Sequence, residues 1–123
     1  MSSNAALDKS KAFAVRIVHL YRNLGEDKKE FVLSKQLLRS GTSIGANVKE
    51  AQRAQSKKDF ITKMNIASKE ASETEYWTEL LYETGYLSQA EFQSIHDDCS
   101  EIIRLLVSIV KTSQNNLALS TKH

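Results

Sequence analysis

Hydrophobic residues recur every three or four positions along four stretches of the chain, the spacing that gathers them on one side of an α-helix. The first stretch, about 5–24, carries Phe13, Ile17, Leu20 and Leu24 as a narrow stripe at heptad-like intervals. Gly25 suits the left-handed position just past a helix end, and Glu26-Asp27-Lys28-Lys29 reads as a short polar turn. A second helix is expected over about 30–54. A third, about 57–84, opens on Ser56-Lys57-Lys58-Asp59, a capping box with Asp where Glu or Gln is usual. Its main stripe is Phe60, Met64, Ala67, Ala71, Thr74 and Leu81, and Gly85 ends it. Ser88-Gln89-Ala90-Glu91 is a full capping box for the fourth helix, about 89–113, whose apolar face runs from Phe92 and Ile95 through Cys99 to Ile109 and Val110. Beyond Ser113 the pattern weakens, which predicts a frayed tail over 114–123. Four long helices with short connections predict an all-α, antiparallel up-down-up-down four-helix bundle, one domain over 1–123.

The second helix has three chemically different sides. Leu37, Leu38, Gly41, Ile44, Gly45 and Val48 make an apolar or small face. Glycine inside a helix costs stability relative to alanine, so Gly41 and Gly45 predict the close approach of a neighbouring helix. A second face carries cations at its ends, Lys35, Arg39, Lys49 and Arg53, with Thr42 and Ala46 between. The third is a polar row, Gln36, Ser40, Ser43, Asn47 and Glu50, in steps of four and three. At that spacing the row suits a helix contact, within or between subunits, where paired polar groups specify geometry; it also suits a solvated strip. Ile66, Trp77 and Leu80 lie well round from the third helix's main stripe, among Glu70 and Glu73. A large aromatic there fits a subunit contact first, and a widened core second.

Composition agrees with this class. The 123 residues include no proline and four glycines, which favours long helices over sheets. No apolar segment of secretory type opens the chain, and the most apolar run, 102–110, is too short to span a bilayer and contains Arg104. Cys99 is the only cysteine, which fits a reducing cytoplasm. A cytoplasmic protein that does not enter a membrane is therefore expected.

Charge changes the picture more. The formal net charge of +2 hides eight basic residues against Glu50 and Asp59 over 35–69, and nine acids with no Lys or Arg over 70–101. Local values of +6 and −9 concern partners, where the global value does not.

Gln36-Leu37, Arg39, Ser43-Ile44, Asn47-Val48 and Glu50, followed by Lys57-Lys58-Asp59-Phe60 and Ile66-Ala67, resemble the four-helix-bundle family of 23S ribosomal RNA intervening-sequence proteins. The resemblance spans essentially the whole chain. It implies a small cytoplasmic bacterial protein that assembles as a ring-like homopentamer. Relatives include the accessory variability proteins of diversity-generating retroelements, basic pentamers that engage nucleic acid and a reverse transcriptase. Ala51 stands where a glycine often follows the Glu, which predicts a helix running further here. Lys69-Glu70 replaces a frequent Gly-Ser pair, which works against a close helix contact there.

Catalytic patterns are missing. Gly41 to Gly45 lacks the Gly-Lys-Ser/Thr ending of a phosphate loop and falls inside a helix, and no Glu-x-x-His supplies di-iron ligands. His19, His96 and His123 are far apart. His96 with Asp97 and Asp98 is the one cluster resembling metal ligands, but adjacent helical residues point in different directions. Cys99 falls on the apolar stripe as a small core residue does. No enzyme, metal or cofactor is expected. The leading expectation is a non-catalytic oligomer that binds nucleic acid, RNA before DNA, with Arg39, Lys49, Arg53, Lys57, Lys58 and Lys63 on phosphates. No aromatic residues interleave with these cations, so base stacking has little to work with. The alternative is a protein-interaction scaffold, in which the basic and acidic segments serve assembly or a protein partner and nucleic acid plays no part.

Overall fold

The computed structural model describes residues 3–121, which form α1 (Ser3–Glu26), α2 (Leu33–Ala51), α3 (Lys57–Glu83) and α4 (Gln89–Thr121), with no strand among them. α2 packs on both α1 and α3, α3 packs on α4, and α1 touches α4 more thinly. One buried cluster runs through all four helices, with Phe13, Ile17, Leu37, Ile44, Met64, Leu81 and Leu106 among its fully enclosed members. On α3 the core position at the start belongs to Ile61, while Phe60 sits half-buried at the edge. Among the described residues no helix is long and apolar enough to cross a membrane.

The helix ends show where local signals decide and where they do not. Ser56 Oγ accepts the Asp59 N–H at 3.0 Å, and Asp59 reaches back to the Gln55 N–H at 3.3 Å. The Ser88–Glu91 box closes in both directions, at 3.1 and 2.9 Å. Gly85, at φ +89°, ends α3 in a Schellman arrangement: its N–H meets the Tyr82 carbonyl, and the Tyr86 N–H meets that of Leu81.

Gly25 does not end α1. The helix runs on to Glu26, and the left-handed residue is Lys29, at φ +56°. The Glu30 N–H then closes the loop on the Leu24 carbonyl at 2.9 Å. α2 starts at Leu33 because Glu30 spends its side chain as a cap. Its carboxylate accepts N–H bonds from Ser34 at 2.6 Å, Leu33 at 3.0 Å and Val32 at 3.2 Å, three of the donors a helix start leaves unpaired. Burial acts to raise the Glu30 pKa, but these backbone bonds outweigh it and hold the carboxyl below its ordinary value.

α2 also stops short of 54, and Ala51 does not prolong it. Arg53 and Ala54 N–H groups bond carbonyls three residues back, at 3.0 and 3.1 Å, so the chain tightens into the turn. At the other extreme α4 continues through the stretch expected to fray. Leu117, seven residues beyond Val110, returns to the core side and packs against it. Positions 122 and 123 lie outside the described residues.

The two α2 glycines meet α1. A methyl group on Gly41 would stand 2.8 and 2.9 Å from the γ carbons of Ile17, and one on Gly45 would stand 3.3 Å from Ser10 Oγ. Deeper contacts are small or paired. Cys99 Sγ donates to the Ala71 carbonyl at 3.2 Å, and the buried Thr74 and Ser40 hydroxyls lie 2.9 Å apart between α3 and α2. Among the described residues no buried side-chain nitrogen or oxygen lacks a hydrogen-bond partner.

Two outcomes follow from these contacts. Gly41→Ala should destabilise the fold by about 1–3 kcal/mol through overpacking, despite a gain of about 1 kcal/mol in helix propensity; a higher Tm in thermal denaturation would contradict the close approach. Glu30→Gln should lower the urea midpoint at neutral pH. A depressed carboxyl pKa stabilises the fold above the ordinary value of 4.5 and loses that effect as pH falls through the native value. The gap between variant and wild type should therefore close in acid.

Candidate nucleic-acid interface

Four of the expected phosphate-binding cations surround one corner of the bundle. Lys49 is in the last turn of α2, Arg53 in the following turn, and Lys57 and Lys58 are the first two residues of α3. All four are exposed, and none takes part in an ion pair among the described residues. Lys49 suits the negative end of the α2 dipole. Lys57 and Lys58 oppose theirs, adding full charges to the partial positive charge of the α3 N-terminus. Lys49 also lines a groove of about 370 Å³ between α1 and α2, together with Lys11, Asp8, Thr42 and Gly45.

Arg39 and Lys63 belong to a different surface. Arg39 Nη1 lies 3.2 Å from Glu70 Oε1, and its Nη2 pairs with Glu73. Glu73 in turn accepts the Trp77 indole N–H at 3.0 Å. The Trp77 bond and then the Arg39 guanidinium hold the Glu73 carboxyl below its ordinary value; the Glu73 bond foremost raises that of Arg39. Lys63 Nζ lies 3.1 Å from Glu50 Oε1. These pairs flank the α2–α3 seam with at least one partner of each open to solvent, and therefore contribute modest stability each.

The polar row of α2 divides in the same way. Ser40 is buried and crosses to Thr74. Ser43 and Asn47, half-buried, turn back on their own helix, to the Arg39 carbonyl at 2.6 Å and the Ser43 carbonyl at 2.8 Å. Gln36 and Glu50 are exposed. On α3, Trp77 and Leu80 are half-buried, Ile66 is 36% exposed, and Tyr76, 55% exposed, meets the Trp77 ring edge-on with centroids 5.0 Å apart.

Three groups emerge only from the fold. Glu30 is the α2 cap already described. Arg16 crosses from α1 to pair with Asp98 and to donate to Ser94 Oγ at 2.8 Å on α4. His96 meets neither neighbouring aspartate as a partner; its Nε2 lies 3.4 Å from Glu75 Oε2 and 3.5 Å from Glu79 Oε2, both on α3. The signal available in sequence was the spacing of Glu75 and Glu79, four apart on one helical face. Cys99 is enclosed, and burial, followed by the nearby charges of Glu75, Asp98 and Glu79, pushes its thiol up to about 12.

Comparison with known proteins agrees with this architecture. A solved structure from Bacteroides thetaiotaomicron VPI-5482, described as a protein with unknown function from the S23 ribosomal protein family, is 59% identical, with a TM-score of 0.89 over 90% of this chain and 99% of that one. No curated protein matches the chain. Residues 2–108 match the family described as 23S rRNA-intervening sequence protein. With its family's sequence pattern across most of its length and that fold, the chain belongs to the 23S rRNA-intervening sequence protein family.

Proposed function

We propose that this protein is a non-catalytic cytoplasmic module that binds RNA through the phosphate backbone at the α2–α3 corner. The observation that carries the reading is the set Lys49, Arg53, Lys57 and Lys58: four exposed cations free of ion pairs, two of them placed where a helix dipole opposes them. A site that costs its own helix stability and attracts anions suits a polyanion. The family's description favours RNA over DNA. Arg39 and Lys63, already paired with Glu70, Glu73 and Glu50, contribute little to it.

Assembly is part of the same proposal. An antiparallel up-down-up-down course is supported by the order of the cross-helix contacts: Ile17 with Gly41 and Ser10 with Gly45, Ser40 with Thr74 and Glu50 with Lys63, Arg16 with Asp98 and Lys9 with Glu101. A ring-like homopentamer, implied by the family resemblance, repeats the corner five times and raises affinity by multivalency. Its proposed contact is the outer α2–α3 seam, with Ile66, Trp77 and Leu80 beside Gln36, Ser43, Asn47 and Glu50. A protein scaffold is the second reading, supported by the acidic 70–101 stretch with its exposed Tyr76.

Fluorescence anisotropy of a labelled structured RNA tests the first reading. Wild type should bind with a log–log salt slope of about −3 to −4 for each corner engaged, as four neutralised phosphates require, and Arg53→Glu/Lys57→Glu/Lys58→Glu should abolish binding. Arg39→Ala should stay within about twofold of wild type, since a paired guanidinium has little to lose. Equal binding by the charge-reversed variant would remove the corner from consideration. For assembly, light scattering should report a multimer for wild type and a lower molar mass for Ile66→Glu.

A further inference from the structure

The groups the proposed function leaves unused converge on the α3–α4 surface. Glu75, Glu79 and His96 present one ligand atom each, all within 4.8 Å of one another. The separations of 3.4 and 3.5 Å between His96 Nε2 and the two carboxylate oxygens exceed those of a good N–H···O hydrogen bond. They match the edge of a tetrahedron with metal–ligand bonds of about 2.0–2.1 Å, whose edge is about 3.3 Å. We propose that Glu75, Glu79 and His96 form a binding site for one divalent transition-metal ion of the zinc type, tying α3 to α4.

Both sides of the site stand on helices, and the imidazole is steadied by neighbours. The Phe92 ring lies 5.1 Å from that of His96 and stacks on Tyr82 with centroids 4.4 Å apart. The Ser100 hydroxyl donates to Glu75 Oε2 at 3.3 Å, bracing a ligand oxygen as an outer partner of a metal ligand does. The field favours a cation, because the 70–101 stretch carries nine acids and no Lys or Arg, and Arg16, which reaches α4 from α1, is committed to Asp98. One imidazole nitrogen with two carboxylate oxygens suits zinc and its neighbours better than magnesium or calcium, which take all-oxygen shells. With the three side chains 27–43% exposed, a fourth position faces solvent, open to water.

Isothermal titration calorimetry of zinc chloride into the EDTA-stripped full chain, in excess magnesium, decides the matter. One zinc per chain is expected, with His96→Gln and Glu79→Gln each weakening binding at least about tenfold. Zinc should raise the Tm of wild type and leave that of both variants unchanged. Melting in EDTA checks that each variant folds, and the exposed Glu79 position keeps the test open if the His96 variant does not. Absence of zinc binding overturns the proposal. So does equal binding by both variants, which would place the ion on another histidine such as His19, or displacement by magnesium, which would reduce the site to a general acidic surface.

Discussion

Two helix backbones can approach closely only where a side chain is missing, and this bundle depends on that condition at Gly41. Ile17 fills the space a β-carbon would take, and Gly45 gives Ser10 the same accommodation one turn on. The close contact fixes how α1 lies on α2. Since α2 also packs on α3, and α3 on α4, the setting of one pair propagates through the core. α1 reaches α4 across a thinner contact, where Arg16 and Lys9 bridge to Asp98 and Glu101 beside the shared core.

Position, rather than residue type, separates the tasks of the cations. Arg39 and Lys63 face acids across a seam and are neutralised there, whereas Lys49, Arg53, Lys57 and Lys58 sit where two helices end and no acid pairs with them. A helix end is a poor place to satisfy charge internally, because the chain turns away from the neighbouring helix just where a partner would be needed. Lys35, near the start of α2, and Lys69, midway along α3, are exposed and outside any ion pair among the described residues as well, so the corner concentrates the free charge without holding all of it.

Signals carried within one turn of helix were legible in the chain itself. Ser56 and Ser88 with their partners three residues on, Gly85 at a helix end, and the spacing of Gly41 and Gly45 all depend on neighbours in sequence, and each has the expected geometry. Signals that need a second helix were not. Arg39 reads as a free cation until Glu70 and Glu73 are brought beside it, and His96 reads as part of a solvated helix face until α3 supplies Glu75 and Glu79. Glu30 was obscured for another reason. A carboxylate capping from ahead of the helix has no fixed spacing rule, and the propensity of glutamate for helix interiors points the wrong way. The left-handed turn fell on Lys29 rather than Gly25 because the loop closes through the Glu30 N–H, and that geometry overrides the preference for glycine.

The buried thiol has a consequence for how the protein behaves outside a cell. With Cys99 enclosed, its thiol pushed up to about 12 and its hydrogen shared with the Ala71 carbonyl, the reactive thiolate is scarce at neutral pH. Burial and the raised pKa both slow reaction of the folded chain with thiol reagents. Subunits that associate do so without disulfide crosslinks, and reductant can be left out of storage buffers. A covalent dimer on a non-reducing gel then reports that chains had opened to expose Cys99.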